Sequence, residues 1–175
     1  PKNRGAISIG PGDVVYNTRY HTTDPNNGFI KAWIGGIDFR TQPYDQIFAQ
    51  RQTASAFKPI LYASALEQGA MPCHYLDNDE LVLNDFDNWQ PQNYDHSVGG
   101  KYSMSASLAR SMNIPTVNLF FQQDFDILTD TWDALGFSQE LRNKPSTALG
   151  TTTASLYEMA IAYSAFANSG KRIEP

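Results

Sequence analysis

Ser55 and Lys58 stand three residues apart at the head of an apolar, alanine-rich run, after Arg51-Gln52 and before Pro59. The spacing predicts the first turn of a buried helix, where residues i and i+3 share one face. A lysine enclosed by apolar groups gives up its proton more readily than a free one. A neutral amine beside a hydroxyl makes that serine a nucleophile with its general base in place. Ser-x-x-Lys is a common tetrapeptide, and taken alone it reads equally as a helix cap followed by a surface lysine.

Further on, Ser111-Met-Asn113 follows the helix-prone stretch Ser103–Arg110. Two residues apart on a helix do not face the same way. Both side chains reach one cleft only from a turn, and Pro115 just beyond favours such a break. Ser111 and Asn113 are also common helix C-cap types, so it is the preceding Ser55–Lys58 that favours chemistry. Ser-x-x-Lys followed by Ser-x-Asn is the order of motifs in penicillin-binding proteins and serine β-lactamases.

The surroundings carry the likeness further. Phe39 to Pro59 reads FRTQPYDQIFAQRQTASAFKP, and NWQPQNYD, SLARSMNIPTVN and TALGTTTASLYEMAIAYSAFANSG follow. From about Asp24 to Gly170 the chain resembles the transpeptidase domain of class A, bifunctional penicillin-binding proteins. The resemblance implies an α+β, β-lactamase/transpeptidase-like fold of a penicillin-recognising serine enzyme, here its N-terminal strands and helical body. Residues 1–20 are then a linker or N-terminal strands, and residues 21–175 a partial transpeptidase domain.

By the same resemblance the activity is that of a peptidoglycan D,D-transpeptidase acting on the D-Ala-D-Ala stem peptide through an acyl-enzyme. Ser55 is then the nucleophile and Lys58 its base. Ser111 shuttles the proton to the leaving D-alanine, and Asn113 hydrogen-bonds Lys58 and a substrate amide. Stem peptides, β-lactam antibiotics and other cell-wall synthesis proteins are the implied partners, and no cofactor or metal is expected. The implied location is the periplasmic face of the bacterial inner membrane, held by an anchor outside this chain. A glycosyltransferase domain is expected upstream.

Two departures stand out. Thr53-Ala54 precede the nucleophile where the class usually has Pro-Gly. No Lys-Thr/Ser-Gly triplet occurs in the 175 residues; the family carries it after the helix ending near Gly170. The chain is therefore read as a truncated domain, nearly inactive alone, since the triplet's strand serves the substrate carboxylate and the second oxyanion donor. A serine β-lactamase or D,D-carboxypeptidase is the rival enzyme reading. Glu140-Leu-Arg-Asn143 faintly resembles the surroundings of a deacylating glutamate, although a solvated polar stretch explains it better. A non-catalytic β-lactam- or peptidoglycan-binding sensor is the rival outside enzymes, and the complete set of Ser55, Lys58, Ser111 and Asn113 argues against it.

Bulk properties remove other classes. With 41% hydrophobic residues and 13% aromatics the chain can bury one core, which excludes disorder. A net charge of −5 with 13 Lys and Arg leaves no electrostatic footprint for nucleic acid. His21, His74 and His96 lack metal-ligand spacing, and Cys73 stands alone, so no disulfide framework exists and a small, partly buried thiol is expected. No run of 18 or more apolar residues and no signal peptide occurs; neither absence fixes the compartment.

The elements needed to position the four residues are legible from punctuation. Short β-prone pieces at 6–9 and 14–16 precede the dense turn signal Asp24-Pro-Asn-Asn-Gly28. A strand over 29–34 then suggests a hairpin laid against the nucleophile helix. That helix runs from Ser55 to Gln68 and stops at Gly69. Residues 71–102 read as a long irregular segment with Trp89 pinning it and Tyr94 and Tyr102 available to line a groove. Helices follow at 103–112, 115–121 and 126–135, the last ended by Gly136. The final helix opens with the capping box Ser155-x-x-Glu158 and closes at Gly170.

Overall fold

The computed structural model describes residues 19–174 apart from 37, 39, 41 and 42. The β-prone pieces at 6–9 and 14–16, and the proposed boundary segment up to residue 18, lie outside the described residues. Among the described residues three two-stranded antiparallel pairs accompany a helical body, an α+β arrangement as expected.

Strands β1 (Tyr20–Thr23) and β2 (Ile30–Ile34) form the hairpin, with His21 opposite Trp33. Its turn is built by Asp24, whose carboxylate accepts from the Asn26 N–H at 3.0 Å, and by Gly28 at φ 77°. The hairpin packs against the last helix, α5 (Leu156–Ala167), rather than against the nucleophile helix. The reason lies in its side chains. Trp33 gives its indole N–H to Asp45 and joins His21, Phe48 and Tyr157 in an aromatic cluster whose α5 member is Tyr157.

The nucleophile segment is a composite. A 3-10 turn, Ala54–Phe57, runs directly into α1 (Lys58–Glu67), with Pro59 in the first turn where its missing N–H costs nothing. Gln68 and Gly69 end the helix, the latter at φ 90°. The apolar run of α1 forms the centre of the core, where Phe57, Ile60 and Leu61 are fully buried. Phe57 meets Trp132 of α4 (Phe125–Ala134), and Trp132 stacks on Phe137 at 3.6 Å between centroids.

The segment 71–102 is less irregular than expected. Its ends pair as β4 (Tyr75–Asp77) and β5 (Lys101–Ser103), between which Trp89 packs on the core and bridges Leu83. Tyr94 is 98% exposed, and Tyr102 lies under the Arg110 guanidinium at 5.5 Å. Cys73 is exposed, against the expectation of partial burial. The helix predicted over 103–112 is shortened to α2 (Met104–Ala109), and α3 spans Ile114–Phe121. Two pieces carry no sequence signal of their own: β3 (Arg51–Gln52) paired with β6 (Thr153–Ala154), and a 3-10 turn at Pro145–Leu149. The predicted capping box forms in full, Ser155 and Glu158 satisfying each other's backbone N–H.

Candidate active site

The nucleophile turn is stapled from behind. Thr53 donates its N–H to the Thr152 carbonyl at 3.0 Å, and Ala54 donates to the Gly150 carbonyl at 2.9 Å. The Thr53 hydroxyl adds contacts to both carbonyls. This close approach requires glycine at 150, since a Cβ there would collide with the Ala54 backbone, and Gly150 also sits at φ 74°. Ala54 adopts φ 48°, the left-handed region that favours glycine. On the far side, Tyr163 of α5 donates its hydroxyl to the Ala56 carbonyl at 2.7 Å. Ser55 is thus held exposed at the tip of a turn fixed on both flanks. Among the described residues its N–H has no backbone acceptor, as an oxyanion donor requires.

Lys58 is only 1% exposed, and all three ammonium protons have acceptors on one turn. Nζ lies 2.6 Å from the Ser111 carbonyl, 2.7 Å from Asn113 Oδ1 and 3.2 Å from Ser111 Oγ. Burial pushes its pKa down from 10.5 to about 8. The spacing argument therefore gives a buried, hydrogen-bonded lysine and not a surface one. No hydrogen bond links Ser55 Oγ to Nζ; Ser55 and Lys58 are neighbours through the 3-10 turn, in which residues three apart eclipse.

The turn that supplies those acceptors is a helix end. α2 closes in a Schellman motif: Ser111 N–H bonds to the Leu108 carbonyl and Met112 N–H to the Ser107 carbonyl, both at 2.9 Å. Ser111 occupies the left-handed position of that motif at φ 52°. Asn113 begins α3, but its side chain makes no cap bond; it bridges Lys58 and the Gln92 carbonyl. Both predicted features, the break and the convergence of the two side chains, are present. Behind them Tyr62 and Thr116 share a hydrogen bond, and Thr116 donates to the Met112 carbonyl at 2.6 Å.

A family model described as the penicillin binding protein transpeptidase domain matches residues 19–175. The chain belongs to this family. Penicillin-binding protein 1A of Rickettsia conorii is 31% identical over 87% of the chain. Penicillin-binding protein 1B of Haemophilus influenzae is 34% identical over 86%. The chain spans 20% of the length of each of these curated relatives. Among solved structures, penicillin-binding protein 1A from Haemophilus influenzae superposes with a TM-score of 0.85 at 27% identity, covering 91% of this chain and 24% of that one. The class A likeness read from the sequence agrees with relatives of the 1A and 1B types.

Within this transpeptidase fold Glu140 is exposed, and no hydrogen bond among the described residues ties it to Ser55, Lys58, Ser111 or Asn113. Among the described residues no group of His, Cys, Asp and Glu could hold a metal, and no helix is long and apolar enough to cross a membrane. Sequence reasoning missed Thr53, Gly150 and Tyr163. Thr53 sits beside the motif and Gly150 follows the 3-10 turn Pro145–Leu149, but the pairing of 53–54 with 150–152 is long-range and has no local signature. Tyr163 belongs to an ordinary apolar helix stripe.

Proposed function

We propose that the chain carries the acylation machinery of a peptidoglycan D,D-transpeptidase. One observation supports this above all: Lys58 is buried beside the nucleophile turn with its amine held by Ser111 and Asn113. The two short contacts go to carbonyl-type oxygens, which accept N–H in either protonation state. The third, to a hydroxyl, can reverse direction, because Ser111 Oγ both donates and accepts.

Ser55 Oγ attacks the carbonyl carbon of the penultimate D-alanine while its proton passes to neutral Lys58. The C–N bond then breaks, and the terminal D-alanine amine leaves with a proton delivered from Lys58 through Ser111. The Ser55 ester is resolved by an acceptor amine from a second stem peptide along the reverse path. The oxyanion forms against the Ser55 N–H at the head of α1, where the helix dipole favours negative charge. β-Lactams enter the same path as cyclic mimics whose leaving group stays tethered.

The whole protein is proposed to act on the outer face of the cytoplasmic membrane with other cell-wall enzymes and to carry a glycosyltransferase domain as well. The 175 residues alone are expected to acylate slowly, since loss of one oxyanion donor costs about a hundred- to a thousand-fold. Incubating the full-length protein and its S55A variant with a fluorescent penicillin tests the reading. Stable label on the wild type and none on the variant is expected. Rapid release of label would move the protein to the β-lactamases, and label persisting in S55A would move the nucleophile.

A further inference from the structure

Asn93 lies outside the four residues assigned to chemistry, yet it is built into the start of α3. Its side chain, in a residue 3% exposed, accepts at Oδ1 from the Asn113 N–H at 2.7 Å and the Ile114 N–H at 3.1 Å. Nδ2 donates to Asn78 Oδ1 at 2.7 Å and to the Ser97 carbonyl at 2.8 Å. Asn78 is itself fully buried just after β4, and its backbone is paired with Gly99 and Gly100. The amide of Asn93 therefore hangs from the β4–β5 ladder and covers the head of α3.

The first N–H groups of a helix need acceptors, and an asparagine at the N-cap ordinarily supplies one from its own side chain. Asn113 does not. Its Oδ1 is on Lys58 and its Nδ2 on the Gln92 carbonyl. Asn113 also has helical φ and ψ, in place of the extended conformation from which an N-cap side chain folds back. We propose that Asn93 is a positioning residue: its Oδ1 pins the Asn113 and Ile114 N–H groups and so fixes the backbone from which the Asn113 amide reaches Lys58. Without Asn93 Oδ1 these two N–H groups lose their buried acceptor, and the Asn113 backbone that carries the side chain to Lys58 is no longer held. Lys58 then loses one of its two short acceptors.

The role rests on the acyl-transfer reading only for its kinetic consequence, and the test keeps the two apart. A crystal structure of the N93A variant of the full-length protein should show Asn113 displaced from Lys58. Retention of the Nζ–Oδ1 contact overturns the proposal whatever the activity. In penicillin acylation, N93A should slow the wild-type background about ten- to a hundredfold, the scale on which residues supporting a site act. It should have almost no further effect in an N113A background, because the two act through one contact. An equal factor in both backgrounds means that Asn93 is merely structural. If N93A fails to fold, N93D keeps the two acceptor contacts while giving up the donations to Asn78 and Ser97, and its crystal structure should retain Asn113 on Lys58. Release of Asn113 from Lys58 in N93D, with its acceptor contacts kept, overturns the proposal. A wild type that acylates nowhere refutes the functional reading and leaves the crystallographic arm to decide on Asn93.

Discussion

Ser111→Gly separates what the backbone of the Ser111 turn needs from what the chemistry needs. Ser111 sits at φ 52° in the left-handed position of the Schellman motif closing α2, where glycine is the usual occupant. Holding a non-glycine residue there costs about 1 kcal/mol. Glycine recovers that cost but makes the unfolded chain more flexible, a loss of about 0.4–1 kcal/mol. The hydroxyl's contact to Lys58 Nζ is long at 3.2 Å, and a typical hydrogen bond is worth only about 0.5–1.5 kcal/mol net. These effects nearly cancel, so stability should stay within about 1 kcal/mol of wild type. The backbone contact from Nζ to the Ser111 carbonyl survives. Acylation should nonetheless fall by about a hundred- to ten-thousand-fold, the usual cost of removing a proton-transfer group. S111A should be as slow and somewhat less stable than S111G, because it keeps the strained φ that glycine relieves. The assay is a time course of fluorescent penicillin labelling alongside a thermal melt. S111G that labels as fast as wild type would reduce Ser111 to a helix cap and remove the shuttle.

Three further outcomes follow from the same geometry. The acylation rate should rise with pH through about 8, where Lys58 becomes neutral; because the folded pKa lies below the unfolded 10.5, the fold should also gain stability between those values, and K58M should lose that gain. Ala54→Gly should leave stability within about 1 kcal/mol of wild type, since relief of φ 48° is offset by a freer unfolded chain, and should not slow labelling, whereas Gly150→Ala should displace the Ser55 turn and depress both melting temperature and acylation. Glu158, held at about 2 by hydrogen bonds from Ser138, Ser155 and Gln50, contributes stability present above its unfolded 4.5 and lost as pH falls toward 2; an acid melt of E158Q should lack that dependence.

The candidate set of Ser55, Lys58, Ser111 and Asn113 was legible in the sequence because each member sits in a local pattern: an i,i+3 pair heading a helix, and a turn marked by Pro115. The capping box at Ser155–Glu158 was legible for the same reason, its two partners being three residues apart. What escaped depends on distance along the chain. The staple of Thr53 and Ala54 onto residues 150–152 spans nearly 100 residues of sequence, with |i−j| of 97 for the Thr53 hydroxyl and Gly150. The hairpin was found, but its packing partner was misjudged, because Trp33 and His21 are matched by Tyr157, a residue whose helix gives no sign of a second role. Asn93 drew no separate reading within the irregular segment 71–102, since nothing in NWQPQNYD announces a buried amide.

The central claim is that Ser55 is the group acylated. Mass spectrometry of the full-length protein after brief exposure to benzylpenicillin tests it most directly. The account predicts an intact-penicillin adduct on the peptide containing Ser55-Ala-Phe-Lys58, absent from S55A and appearing more slowly below pH 8. An adduct on any other peptide, or one that S55A still forms, would contradict it.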